Sequence, residues 1–406
     1  MIADCAPAMP RVKMGWRLTH RGIRRHIAPM SLRTPVILSA FASLVLLTGP
    51  VAAEAGRTAL MFEDFPGGTG GSAAKLLRTA LERTGRFDIA SAAAWHIRGS
   101  SSAGKIDGAL IAADGKVLFN NHYDWPDLRD NASAFSDDIV EAVTGGTGIA
   151  LTKIAFVSDR TGHKEIHLCD SDGSRVLQIT RDGLVNVSPS LGPGGLLMVH
   201  TGYASGFPDI YVTNLQDGDS QRIISAPGTN SGASFSRDGT RIALTMSHGG
   251  DPDIYITTVT GGRSRRVTES RSVEFSPAWA PDGERLVFCS DATGSPQLYV
   301  VPRKGGASER LATGVGKCAD PDWNADGRLI AFTAWTDKTR SVAVYELESG
   351  RTRTVLTGAS DPSWAPDGRH LAAVQGGDLV VLDVTTGKKE RILTGMGKIS
   401  EPAWSK

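Results

Sequence analysis

From Thr152 to Lys406 the hydrophobic positions fall into short runs separated by Gly- and Asp-rich interruptions, and the runs recur in a fixed order. The first run of each unit is entered through a small residue or Pro and ends on a large apolar one. The six copies are VSPSL at Val187, SGASF at Ser231, SPAW at Ser276, ADPDW at Ala319, SDPSW at Ser360 and SEPAW at Ser400. Their terminal apolar residues, Leu191, Phe235, Trp279, Trp323, Trp364 and Trp404, are 44, 44, 44, 41 and 40 positions apart. An Asp-Gly pair follows at Asp238, Asp282, Asp326 and Asp367, with Pro193-Gly194-Gly195 in the first copy. Such residues tolerate the positive φ of a tight hairpin. Each unit continues with an apolar run such as RLVFCS at Arg285, an alternating one such as DIYITTV at Asp253, and a brief one such as RRVT at Arg265. Four short β-type runs in a repeat of about 40 to 45 residues predict the blade of a propeller.

Each type of run can be counted six times, so the expected fold of 152–406 is a six-bladed all-β propeller. The unit opening at Thr152 lacks a first strand, whereas SEPAWSK at Ser400 supplies a first strand alone. Pairing Glu401–Ser405 beside Ile154–Ser158 completes one blade from both ends of the repeat region. The ring then has no open sheet edge at the junction.

The preceding pattern is different. Residues 56–148 read as a small α/β domain: a strand at Thr58–Phe62, then Pro66-Gly-Gly-Thr-Gly-Gly71, then an amphipathic helix at Ala73–Thr84 with Leu76, Leu77, Ala80 and Leu81 on one face. Strands around Trp95–Arg98, Lys105–Ala112 and Lys116–Tyr123 follow, and a helix at Ala132–Val143 is capped by Gly145-Gly146. Further upstream, the apolar run Pro35–Leu47 is too short to span a bilayer and precedes the small residues Val51-Ala52-Ala53. This makes 1–53 a secretory signal peptide, with Met30 as an alternative start. No Cys lies near the expected cleavage point to carry a lipid anchor. The expectation is therefore an extracytoplasmic protein that does not span the membrane.

Removal of 1–53 leaves 37 Lys/Arg against 42 Asp/Glu, a net charge of −5 that argues against a nucleic-acid partner. Cys169, Cys289 and Cys318 then remain, and their scattered spacing is neither a disulfide framework nor a metal site, although a Cys289–Cys318 bridge stays open. No Gly-x-Ser-x-Gly elbow exists; GSSSAG at Gly99 has the wrong spacing. His163 and His167 flank the start of a strand, where their separation is about 13 Å, so they are expected at the surface or rim rather than on a metal. The glycine-rich turn at Pro66 lacks the Gly-Lys-Ser/Thr ending of a phosphate cradle and reads as a flexible connection. No cofactor and no metal are expected.

In a meandering blade, the connections from strand one to two and from three to four share one end of the ring. The connections entering strand one and joining two to three share the other. The first set are stereotyped turns; the second set vary, and variation on a rigid scaffold is where recognition sits. That places candidate partner-binding residues at Asn186, Thr229, Asn230, Glu274, Phe275, Asp320, Asp361 and Glu401, with Phe275 the aromatic anchor. An enzyme or small-ligand propeller would instead need a polar cluster on the channel-lining first strands, which read mainly as Pro, Ser, Ala and Trp.

The segment LRDNASAFSDDIVEAVTGGTGIALTKIAFVSDRTGHKEIHLCDSDG, Leu128–Gly173, resembles the TolB family of the Tol-Pal envelope system across the junction between N-terminal domain and propeller. LERTGRFDI at Leu81 and PAWS at Pro402 resemble the same family. The resemblance implies a non-enzymatic periplasmic scaffold whose propeller rim binds the peptidoglycan-associated lipoprotein Pal and whose N-terminus binds the inner-membrane protein TolA. Two departures stand out: Thr229-Asn230 replaces a frequent His-Asn, and Phe275-Ser276 precedes Pro277. Only Glu54–Arg57 precede the first strand, so the segment for TolA is short.

Overall fold

The computed structural model describes residues 57–336 and 339–406. The signal segment 1–53, Met30 and Glu54 lie outside them. The N-terminal region is a five-stranded sheet of β1 (Thr58–Phe62), β2 (Phe87–Ile89), β3 (Trp95–Ser102), β4 (Lys105–Ala112) and β5 (Val117–Tyr123) in the order β2-β1-β3-β4-β5. β1 is parallel to both neighbours, and β3, β4 and β5 form an antiparallel meander. Helices α1 (Gly70–Arg83) and α2 (Leu128–Thr144) pack together on this sheet over Leu60, Leu77, Leu81, Ile97, Leu110, Phe135 and Ile139.

α2 begins a turn before the expected Ala132, because the Asp127 carboxylate accepts the Arg129 N–H at 2.7 Å and caps the polar first turn. It ends at Gly145, whose φ of 66° is left-handed, as the sequence predicts. β2 escapes the sequence reading, since three residues carry no periodicity and only pairing to β1 defines them. The turn at Pro66 is packed rather than flexible. Ser101 N–H donates to the Pro66 carbonyl at 2.9 Å, and a Cβ on Gly67 would lie 2.0 Å from the Ser101 oxygen. These glycines allow close backbone approach, not an anion cradle.

The remainder is a ring of six four-stranded sheets: blade 1 joins 153–178 to the C-terminal strand, and blades 2 to 6 span 186–224, 230–266, 274–310, 317–357 and 359–393. Blade 1 is closed as expected: Ile399–Trp404 pairs antiparallel with Lys153–Ser158, setting Trp404 opposite Ile154 and Ser400 opposite Val157. Ser405 and Lys153 reinforce the seam, with Ser405 N–H donating to the Lys153 carbonyl at 2.9 Å and Lys153 N–H to Ser405 Oγ at 3.1 Å. Trp404 is buried and donates its indole N–H to Thr152 Oγ1 at 2.7 Å. Adjacent inner strands are also stitched by side chains. The Phe235 amide donates to Ser190 Oγ (3.3 Å), that of Trp364 to Asp322 Oδ2 (2.7 Å) and that of Trp404 to Ser363 Oγ (3.0 Å).

In the Asp-Gly turns only glycine takes positive φ, 69° at Gly239 and 67° at Gly283. The Asp instead accepts the N–H two residues on, as Asp282 does from Glu284 at 2.8 Å and Asp367 from Arg369 at 2.9 Å. His167 is buried rather than at the rim, stacked on Phe156 with ring centroids 5.6 Å apart, while His163 is exposed. Cys169, Cys289 and Cys318 are buried free thiols, so Cys289 and Cys318 are not bridged.

The N-terminal sheet and its helices dock on the end of the ring that carries the stereotyped turns. Arg369, in the one-to-two turn of blade 6, donates to the Gly85 carbonyl at 3.1 Å, and Arg129 pairs with Asp172 in the three-to-four turn of blade 1 at 2.7 Å. Arg175 bridges Asp130 of α2 and Asp170 of blade 1. Asp137 accepts the amides of Ala150 (2.9 Å) and Leu151 (3.0 Å) where the chain enters the ring; burial pushes its carboxyl up to about 6. Among the described residues, the N-terminal sheet and helices leave the opposite end, with the variable connections, uncovered.

Candidate functional site: the open end of the ring

The eight residues expected at the rim separate into four kinds. Asn186, Asn230 and Glu274 begin inner strands, but their side chains are buried and hold loops rather than face a partner. Asn186 donates to Glu165 Oε2 (3.2 Å) and Asp182 Oδ1 (2.8 Å), and Asn230 to the carbonyls of Ala226 (2.7 Å) and Pro208 (3.1 Å). Glu274 is buried, its amide donates to the Pro252 carbonyl at 2.9 Å, and burial raises the pKa of its carboxyl. In blades 1 to 4 a buried polar residue opening the third strand, Glu165, Asp209, Asp253 or Gln297, completes the clamp. Glu165 accepts from the Gly183 amide (2.9 Å), Asp253 from the Ser270 amide (3.2 Å), and Gln297 donates to the Gly316 carbonyl (2.9 Å). The approach loops are therefore pre-ordered, and the repeated D-I-Y start of the third strand was the sequence signal for this.

Phe275 is half-buried and packs on the core shared with Cys289, Leu298 and Cys318, so it is not a free anchor; the neighbouring Val273 is exposed instead. Thr229 is exposed at the rim, tied to Ser247 by its amide at 2.8 Å.

Asp320, Asp361 and Glu401 sit deeper, on the wall of the central channel. Each inner strand has a register break at its middle, between Ala319 and Asp322, Ser360 and Ser363, Ser400 and Ala403 and the equivalent places elsewhere. The residue at the break has left-handed φ in every blade: Ser188 52°, Gly232 62°, Ser276 51°, Asp320 50°, Asp361 55° and Glu401 52°. Five of the six precede a Pro, which has no N–H for the ladder and enforces the bulge. All six line a channel of about 520 Å³. Five non-glycine residues in this conformation cost on the order of 1–3 kcal/mol each, a strain that clusters at working surfaces.

The bulges thus assemble what the sequence reading missed: three carboxylic acids from blades 5, 6 and 1 on one side of the channel, facing Ser188, Gly232 and Ser276 on the other. Glu401 Oε2 accepts the Ser188 amide at 2.5 Å, Asp361 Oδ2 accepts the Glu401 amide at 3.3 Å, and the Asp361 amide donates to Thr333 Oγ1 at 2.9 Å. Burial, then the charges of Asp361 and Glu401, push the Asp320 carboxyl up to about 7. Burial is also the main cause that raises Glu401. Among the described residues no group of three or more His, Cys, Asp or Glu is arranged to hold a metal ion.

A raised carboxyl is favoured in its neutral form in the folded state, so it stabilises least where it must ionise. Below about pH 4 both states carry the proton and nothing is lost; between about 4 and 7 the folded protein loses stability as pH rises. Asp320→Asn is therefore expected to melt near the wild type at pH 4 and above it at pH 8. The scale is about 1.4 kcal/mol per unit of displacement. Equal melting temperatures at both pH values would contradict the assignment.

These features define the class: a closed six-bladed β-propeller with an α/β region on one end and a strained, half-acidic channel opening at the other. The TolB beta propeller domain family matches residues 140–406, and the chain belongs to that family. "Protein TolB homolog" of Chlorobium chlorochromatii is 37% identical over 129 residues, covering 30% of this chain and 29% of that one. "Tol-Pal system protein TolB" of Desulfosudis oleivorans is 35% identical over 117 residues, covering 29% and 24%. The chain thus aligns with less than a third of the length of these curated relatives. The crystal structure of TolB from Acinetobacter baumannii superposes with a TM-score of 0.75 at 23% identity, over 86% of this chain and 97% of that one, and shares the fold.

Proposed function

We propose that this protein is a non-enzymatic periplasmic scaffold of the Tol-Pal system that binds Pal at the open end of the ring and so supports outer-membrane integrity and cell division. The observation that carries this reading is the family match through residues 140–406, in a ring whose turn-bearing end is occupied by the N-terminal region. The free end supplies pre-ordered loops, with Thr229 at the surface and Asp320, Asp361 and Glu401 within the mouth. Rigid loops lose little entropy on docking. The carboxylates favour a cationic group of the partner entering blades 5, 6 and 1. Among the described residues no helix is long and apolar enough to cross a membrane.

TolA binding at the N-terminus is the second part of the proposal. Arg57 is engaged in an exposed ion pair with Asp88 at 3.0 Å, leaving Glu54 and its neighbours as the segment to test. The competing reading, a channel that binds a small cationic ligand or works as an enzyme, draws support from the three carboxylic acids. Calorimetric titration of the chain from Glu54 onward with the soluble domain of Pal from the same genome separates the readings. We expect saturation at one to one; no heat and no co-elution would overturn the scaffold reading.

A further inference from the structure

Among the described residues, the outer edges of the sheets are guarded against pairing with another strand, with one exception. In the ring, the fourth strands of blades 1 and 4 are two residues long, Leu177–Gln178 and Glu309–Arg310. Those of blades 2, 3, 5 and 6 carry exposed charges, such as Arg222, Arg265, Arg353 and Glu390. Short strands and charged side chains both discourage edge-to-edge pairing. In the N-terminal sheet, the edge strand β2 has three residues. The other edge strand, β5, runs seven residues, Val117–Tyr123, and contains no Lys, Arg, Asp, Glu or Pro.

β5 is firmly held on its inner side. Phe119–Tyr123 pairs regularly with Ile106–Leu110 of β4, and the one register shift lies beside Leu118. Phe119 and Tyr123 pack on Phe135 of α2, with ring centroids 6.0 and 5.3 Å apart. His122 meets Asp107 of β4 at 2.7 Å. α2 covers a face of this sheet, and no described strand lies along the outer edge of β5. Its outward backbone groups are therefore a fixed template for one more strand.

The two ends of β5 complement each other. Lys116 precedes the strand and Asp124 follows it; both are exposed, and among the described residues neither lies in a salt bridge. Exposed apolar side chains stand at the same ends. Val117 is at one, and Trp125 is at the other with Val176, the residue after Arg175, which reaches Asp127 at 3.3 Å. An antiparallel pair of two β5 strands centred on Asn120 sets Lys116 of each copy beside Asp124 of the other. The same register brings each Val117 beside Tyr123 and next to Trp125. A parallel pair would set the like charges together instead. A second copy of the strand thus satisfies both ends at once, as a two-fold contact requires.

We propose that two copies of this chain associate through β5, antiparallel about Asn120, and join their N-terminal sheets into one. The contact lies on the turn-bearing end of each ring, so it leaves the open ends free and is independent of the rim-binding reading. One paired edge with two apolar corners is a small interface, so the association is expected to be reversible and micromolar.

Sedimentation velocity of the chain from Glu54 onward, with concentration raised through the micromolar range, should show a monomer–dimer equilibrium. Asn120→Lys sets like charges face to face on the axis and should raise the dissociation constant at least about tenfold. Asn120 is exposed, so this variant is expected to melt as the wild type. Lys116→Asp should also weaken the dimer, and combining it with Asp124→Lys should recover most of the loss, a recovery that local misfolding would not produce. A chain that stays monomeric overturns the proposal, as does a dimer that none of these variants changes. A dimer weakened by Asn120→Lys but not restored by the charge swap would overturn the antiparallel register.

Discussion

Deletion of Ser400–Lys406 is expected to collapse the thermal stability of the ring. The segment carries most of the inner strand of blade 1, including Trp404, which is buried between blades 1 and 6 against Ile154, Ala372 and Val374. Trp404→Ala alone leaves a cavity costing about 3–5 kcal/mol, or roughly 10 °C in melting temperature for a domain of this size. The deletion adds the loss of the ladder to Lys153–Ser158 and of the Trp404 amide bond to Ser363, and it bares an apolar strand edge. A scanning calorimetry trace that is unchanged by the deletion would refute the closure.

Arg175→Ala is expected to release the N-terminal region from the ring. The guanidinium spans Asp130, nearly fully buried in α2, and Asp170, buried at the end of the third strand of blade 1. These partners hold it charged more firmly than an ordinary arginine. Its removal leaves the buried Asp130 uncompensated, at a cost of about 3–5 kcal/mol, while Asp170 keeps Lys153 as a partner at 2.5 Å. Arg175→Lys should rescue little, since an ammonium cannot bridge both acids as a planar fork does. The measurement is limited proteolysis of the Gly145–Gly148 connection together with calorimetry. Faster cleavage and an early separate transition are expected, with the ring's own transition preserved. Wild-type cleavage and melting would show that other contacts hold the interface.

The sequence determined the fold through local rules that repeat. A large apolar residue every 40 to 44 positions, an Asp-Gly turn after it and an alternating third strand leave few architectures, and the unmatched first strand at Ser400 had only one place to go. β1, β4 and the Gly145 cap were likewise legible, because periodicity and turn chemistry act within a few residues. β2 and the first turn of α2 were not, since they depend on a parallel partner and a side-chain cap.

The site was legible in position but not in role. Variable loops enter at the strands of Asn186, Asn230, Glu274 and Phe275, yet burial is a property of what packs above them. Only the tertiary structure turned three of them into loop clamps and the fourth into core. Asp320, Asp361 and Glu401 are separated by 41 and 40 residues, and nothing local says that they meet. They meet because a Pro breaks the inner ladder after each of the three, the bulge turns the preceding residue into the channel, and ring closure through Trp404 brings the first and last blades together. The open edge of β5 was equally a tertiary matter, since whether a strand has a neighbour on each side depends on segments far away in the chain.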